Sequence, residues 1–314
     1  MQGIPFQEPI SEVQGLGPWQ GMQGDSVPLR HPICFGAIAM MPRLSPHMSV
    51  MHAAANRAAK RLLRDFMEVE NLQVSVKGPG DFVSQADLRA EQSLREDLEK
   101  ARPGYGFLME ESGASGSEKW AWRWVVDPLD GTTNFLHGIP HWAISIALEK
   151  RLPDGGSEIH AAVVYSPVNG ELFWAEKGLG AFVNDKRLRV SARRELKDAL
   201  FATGIPFAVS AAPSRLSFAR TLGTLMPQVA GIRRFGSAAL DLAWVAAGRY
   251  DGYWETGIHP WDIAAGMLIV REAGGYATDE QGKDTLSKTV VAANPHLHPK
   301  LLEVVQDGLA ASKG

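Results

Sequence analysis

Trp124-Val125-Val126-Asp127-Pro128-Leu129-Asp130-Gly131-Thr132-Thr133-Asn134-Phe135 carries an apolar, β-branched run into a Pro/Gly-punctuated turn. Two carboxylates stand three positions apart in that turn, and hydroxyl and amide side chains follow at once. This is the pattern of a strand that ends in a chemical site. Two acids so close in a partly buried turn repel each other when both are ionised, and a hard divalent cation taking oxygen ligands is the economical compensation. The stretch points to Mg²⁺ before it points to a substrate.

Working outward, the same grammar recurs. Tyr105 to Met109 predicts a short buried strand ending in Glu110-Glu111-Ser112-Gly113, a second acid pair at a strand terminus. Farther upstream, Met48 to Val69 predicts an amphipathic helix, and Lys77 to Asp81 breaks the chain. Ser84 then predicts an N-cap, with Asp87 three residues later in capping-box spacing and a helix to about Leu98. Downstream, Trp261 to Ala273 predicts a buried helix with Asp262 in its first turn. Each acid has a bland reading: Asp87 and Asp262 as helix-start acids, Asp130 as an N-cap, Glu110 or Glu111 as solvated loop acids. Such readings repeated at every strand end and helix start become the less economical account.

The rest of the chain supplies a mixed α+β pattern. Trp142 to Lys150, Ile159 to Ser166, Glu171 to Ala175 and Gly178 to Asp185 predict an antiparallel β region, with a turn at Pro167-Val168-Asn169-Gly170. Leu196 to Thr203 predicts a short helix and a strand, followed by a helix at Arg215 to Leu225 and a strand at Ile232 to Phe235. A helix over Ala238 to Ala247 capped by Ser237, strands at Tyr250 to Glu255 and Thr289 to Ala293, and a helix at Pro299 to Leu309 complete the pattern.

Thirty-five acidic against 32 basic residues give a net charge of −3 without a long single-sign block, so composition shows no nucleic-acid stripe and no polybasic membrane patch. The one cysteine, Cys34, excludes an intramolecular disulfide and suits a reducing cytoplasm. Ile33 to Met41 is far shorter than the roughly 18 apolar residues of a membrane span. Residues 1–46, rich in Gly and Pro, read as a flexible extension, and 47–314 as the folded domain. Met40, Met41, Met48 and Met51 crowd the start of the first periodic segment, so translation from a later start is one explanation of the extension. Removal of residues 1–40 is expected to leave activity intact.

Gly80-Asp81-Phe82-Val83-Ser84-Gln85-Ala86-Asp87, Glu110-Glu111-Ser112, the Asp127 to Phe135 block and Trp261-Asp262-Ile263-Ala264-Ala265-Gly266, followed by Glu272-Ala273-Gly274-Gly275, resemble the signature blocks of the inositol monophosphatase family, in the family's order. The resemblance covers roughly Met48 to Leu309. It implies a layered αβαβα sandwich and Mg²⁺-dependent hydrolysis of a small-molecule phosphate ester, with two or three ions per site. One metal is then held by Glu110, Asp127 and the Leu129 carbonyl, and a second by Asp127, Asp130 and Asp262.

The resemblance also implies a water nucleophile aimed by Thr132, itself oriented by Asp87, with Glu110 part of the catalytic machinery and no phosphoenzyme. Substrate contacts carry over to Asp130, Gly131, Thr132, Thr133, Gly236, Ser237, Ala238, Glu255 and Asp262. Pro128 stiffens the turn, and Gly131 lets phosphate approach the backbone. Glu255, seven residues before Asp262, accepts hydrogen bonds from ring hydroxyls. His259 fits the family and is read as structural. Inositol-1-phosphate is the expected substrate; related phosphatases acting on fructose-1,6-bisphosphate, nucleotide 3′-phosphates or histidinol phosphate are the alternatives, with a regulatory or RNA-associated binding protein on the same fold as a different class. Lithium sensitivity and a homodimer are family expectations, and the single cysteine gives the expectation of a cytoplasmic location.

Overall fold

Strands that are apolar on both faces must be covered twice, and that requirement builds the molecule. The structure is a computed structural model describing residues 44–68, 74–78, 81–206 and 212–310. The chain begins with α1 (Pro46–Met67), the hairpin strands β1 (Val74–Gly78) and β2 (Asp81–Ser84), and α2 (Gln85–Ala101). Next come β3 (Gly106–Met109), β4 (Gly113–Ser115), β5 (Trp122–Asp130) and the short α3 (Thr132–Leu136). A meander follows: β6 (Ala143–Arg151), β7 (Ser157–Ser166), β8 (Glu171–Glu176), β9 (Gly180–Val183) and β10 (Lys186–Arg187). The last third holds β11 (Leu200–Thr203), α4 (Ala212–Leu225), β12 (Gly231–Arg233), α5 (Ala238–Ala246) and β13 (Gly252–Thr256). It closes with α6 (Pro260–Glu272), β14 (Tyr276–Thr278), β15 (Thr289–Ala293) and α7 (His298–Ala310).

Two large sheets result. The first has the order β10-β9-β8-β7-β6-β5-β3-β4 and the second β12-β11-β13-β15-β14. Residue alternation then assigns the layers. On β5, Trp124 and Val126 pack with Met51, Ala58 and Leu62 of α1 and Leu94 of α2, while Val125 faces the core that contains α5 and α6. On β13, Tyr253 joins that same middle core, and Trp254 faces Leu225 of α4 with Leu301 and Val305 of α7. The order of layers is therefore α1/α2, first sheet, α5/α6, second sheet, α4/α7: the expected α+β sandwich.

Local chemistry explains the element ends. Ser45 Oγ accepts the Met48 N–H at 3.1 Å and Pro46 occupies the first turn, so α1 starts there. The flexible extension read for residues 1–46 falls on residues 1–43, outside those described, except for this cap. Several details differ from the sequence reading. The second sheet is mixed, because β11 runs parallel to both β12 and β13. The three-residue strands β4 and β14 and the two-residue β10 add to the predicted pattern, because such short elements show no period. β5 runs on through Pro128 to Asp130, which it can do because the pairing with β6 shifts register between Asp127 and Asp130.

Candidate active site

That register shift is where the site begins. β3 and β5 are parallel neighbours, with Met109 opposite Val126, so both strands deliver their next residues to the same end of the sheet. The Glu110 N–H donates to Val126 O at 3.2 Å, which places Glu110 beside Asp127. Asp127 is 2% exposed, and its Oδ1 accepts the Leu129 N–H at 2.9 Å, an Asx turn that bends the chain toward Asp130.

Asp130 reaches across to the middle layer. Its Oδ2 accepts from the Ser237 hydroxyl at 2.6 Å and the Ala239 N–H at 2.8 Å, and its Oδ1 from the Ala238 N–H at 3.3 Å. Ser237 occupies the N-cap position of α5 but makes no side-chain cap bond of its own. Asp130, 107 residues earlier, supplies the cap instead. Asp262 stands in the first turn of α6, where Oδ2 accepts the His259 N–H at 2.8 Å.

Asp87, completely buried, satisfies the bland and the functional reading together. Its Oδ2 accepts the Ser84 N–H at 2.8 Å and the Ser84 hydroxyl at 2.5 Å, closing a capping box, while Oδ1 lies 3.0 Å from Thr132 Oγ1. Thr132 Oγ1 is also 3.1 Å from Leu129 O, so one hydroxyl proton serves two acceptors.

Glu110, Asp127, Leu129, Asp130, Gly131, Thr132, Thr133, Gly236, Ala238, Glu255 and Asp262 all line one cleft of about 340 Å³. Asp87 and Ser237 stand behind its wall, reaching it through Thr132 and Asp130. Gly131 has φ +95°, and a Cβ there would come within 3.1 Å of His141 O and 3.3 Å of Gly236 O. On the far side, the Tyr253 hydroxyl donates to Glu255, and Gly204 packs directly against the Glu255 carboxyl.

The carboxylates raise one another's affinity for protons. Burial first, then Glu110, Asp130 and Asp262, hold Asp127 well above the usual carboxylate range, and burial followed by Asp130 does the same to Asp262. Asp130 is pushed up to about 6 by burial against the opposing bonds from Ser237 and Ala239, and Glu255 to about 7 by burial against the Tyr253 bond. Burial also raises Asp87 against its hydrogen bonds. A ring of mutually repelling hard oxygen donors is the chemistry that suits a divalent cation. Among the described residues no group of three or more His, Cys, Asp or Glu side chains is gathered about one metal-sized point.

Arg234 and Gly204 carry no sequence expectation as site residues, and the Asn134 amide, visible in the opening stretch, takes a tying role that sequence does not specify. Arg234 is exposed and lines the cleft, makes no hydrogen bond or ion pair among the described residues, and its charge opposes the rise of Glu255. The doublet Arg233-Arg234 just before the Gly236-Ser237-Ala238 segment was the available signal. Asn134 Nδ2 donates to His141 O and Phe235 O, both at 2.7 Å, tying α3 to the loop before α5. Gly204 had no local signature.

Comparison with known proteins places this geometry. The description "Inositol monophosphatase family" matches residues 44–310. The chain is 53% identical over 261 residues to a protein named inositol-1-monophosphatase from Rhizobium meliloti, covering 82% of this chain and 96% of that one. It is 41% identical over 273 residues to a protein named Nus factor SuhB from Pseudomonas aeruginosa, covering 86% and 99%. Among solved structures, the extragenic suppressor protein suhB from Bartonella henselae matches with a TM-score of 0.78 and 53% identity over 84% of this chain and 100% of that one.

Proposed function

The chain belongs to the inositol monophosphatase family, and from that membership and the cleft we propose that it is a Mg²⁺-dependent phosphatase whose preferred substrate is inositol-1-phosphate. Water attacks phosphorus in line, the ester P–O bond breaks, and the products are free polyol and inorganic phosphate. Glu110, Asp127 and the Leu129 carbonyl would hold one Mg²⁺, and Asp127, Asp130 and Asp262 a second. When bound, the ions supply acidification of the attacking water, charge relief on the phosphate and stabilisation of the departing oxygen.

The chain's own residues do the rest. The Thr132 hydroxyl, with its proton engaged by Asp87 or Leu129 O, keeps a lone pair to accept from the attacking water. Gly131 lets phosphate approach the backbone at the start of α3, where the first amides have no helical acceptor. Glu255, fixed by Tyr253, accepts from vicinal hydroxyls of the leaving polyol, and a water near Asp262 supplies the proton it needs. The observation that carries the reading is the convergence of Glu110, Asp127, Asp130 and Asp262 on one cleft that Thr132, backed by Asp87, and Glu255 also line.

A panel of phosphate esters assayed with and without Mg²⁺ tests it. Preference for inositol-1-phosphate supports the proposal; preference for fructose-1,6-bisphosphate, a nucleotide 3′-phosphate or histidinol phosphate replaces the substrate, and turnover independent of Mg²⁺ removes the metal. Li⁺ inhibition, a homodimer and residence in the cytoplasm belong to the same proposal; among the described residues no helix is long and apolar enough to cross a membrane. The relative named Nus factor SuhB supports a second, regulatory or RNA-associated role on the same fold. The complete set of acids favours catalysis as the primary one.

A further inference from the structure

Asp87, Glu91 and Arg95 recur every fourth residue on α2 and so share one helix face. Asp87 engages Thr132 as described. Arg95 grips the β3–β4 hairpin: Nη2 donates to Ser115 Oγ at 2.6 Å, and its guanidinium lies 4.9 Å from the centre of the Phe107 ring. Between them Glu91, 6% exposed, accepts the Glu111 N–H on Oε2 at 2.9 Å. The backbone of Glu110 is therefore pinned on both sides, by β5 through its own N–H and by α2 through the next one.

A carboxylate is a costly group to bury for closing a three-residue strand, since hydroxyls or water satisfy a turn N–H at the surface. Its placement one helical turn from Asp87 couples the water-aiming hydroxyl and the Glu110 turn to the same rigid rod. We infer that Glu91 is a positioning residue that sets the direction of the Glu110 carboxylate and thereby the divalent-cation affinity of the cleft. This rests on the metal reading proposed above. Groups that orient a metal ligand change affinity by about 10–100-fold when removed, whereas a purely structural bond changes stability and leaves affinity alone.

The test uses the full chain as wild type, Glu91→Ala and Glu91→Gln. Mg²⁺ is titrated calorimetrically into the metal-free protein, and the Mg²⁺ dependence of phosphate release is measured in parallel. Glu91→Ala is expected to bind Mg²⁺ at least about tenfold more weakly, with kcat recovered at saturating Mg²⁺. Glu91→Gln keeps an amide oxygen to accept the Glu111 N–H and is expected to match wild type. Wild-type affinity in Glu91→Ala, or a defect in Glu91→Gln as large as that of Glu91→Ala, overturns the inference. If Glu91→Ala does not fold, Glu91→Met, which keeps the volume and removes the acceptor for the Glu111 N–H, takes its place: weakened Mg²⁺ affinity supports the inference and wild-type affinity refutes it. A wild-type protein that neither binds nor needs Mg²⁺ overturns the metal reading, and this inference with it.

Discussion

The carboxyl carbon of Glu255 stands 1.9 Å from where a Cβ on Gly204 would lie. The end of β11 thus keeps β13's acid in the cleft by having no side chain. Gly204→Ala must evict Glu255, so KM for inositol-1-phosphate is expected to rise about tenfold or more, the equivalent of about 1.4 kcal/mol. Hydrolysis of p-nitrophenyl phosphate, which has no vicinal hydroxyls, is expected to stay near wild type. Equal losses on both esters would place Glu255 outside polyol recognition.

Asp127 and Asp130 are three residues apart and should respond oppositely to mutation. Asp127→Asn removes a charge crowded by Glu110, Asp130 and Asp262 and keeps an acceptor for the Leu129 N–H. The metal-free protein is expected to melt at a higher temperature, while turnover falls by orders of magnitude. Asp130→Ala removes the cap of α5 and should cost about 1–2 kcal/mol, about 2–4 °C per kcal/mol of melting temperature. Thermal denaturation of both variants without divalent cations checks the contrast.

Mg²⁺ should stabilise the protein more at higher pH. In the metal-free fold Asp130 is raised to about 6 and Glu255 to about 7, with Asp127 and Asp262 well above the ordinary carboxylate range. Folded chains then hold protons that unfolded chains have released. The resulting stability is present at low pH and drains away as pH rises through those raised values. Burial depresses His52 and His298, which acts in the opposite direction, but equally with and without Mg²⁺. The expected result is a larger Mg²⁺-induced rise in Tm at about pH 8 than at about pH 6; a pH-independent increment would count against the acid ring as the ion site.

Arg234→Met should weaken polyol phosphate binding and move the pH profile. The guanidinium opposes the rise of Glu255, so its loss favours protonated Glu255 and shifts the acid limb of kcat/KM to higher pH. A charge-assisted bond of about 1.5 kcal/mol predicts roughly a tenfold increase in KM. Arg234→Lys, which keeps the charge, should hold the acid limb near its wild-type position.

The site was legible where its chemistry was local. The run from Trp124 to Phe135 shows a strand, a turn and two acids in a dozen residues, and helix grammar exposed Asp87 and Asp262 through their first-turn positions. The strand ending at Glu110 was visible for the same reason. What lay hidden depends on partners distant in sequence. The parallel pairing of β11 with β12 and β13 leaves no periodic trace, and strands as short as β4 and β14 have too few residues to show one. Ser237 has the composition of a cap, yet Asp130 does the capping, because only the packed layers decide which oxygen reaches the α5 amides. Arg234 and Glu91 look like ordinary surface charges in any window of sequence; the cleft and the hairpin give them their roles.

The bond from Asp130 to α5 also limits how the molecule can be divided. An acid of the first sheet terminates a helix of the middle layer, and Glu255 arrives from the second sheet, so neither half of the chain contains a usable centre. During refolding, helical signal and compaction should recover before turnover, which waits for the last layer to dock. Recovered phosphate release is therefore a clock for completed assembly rather than for collapse, and a chain severed between β10 and β11 should regain it only by complementation of its two pieces.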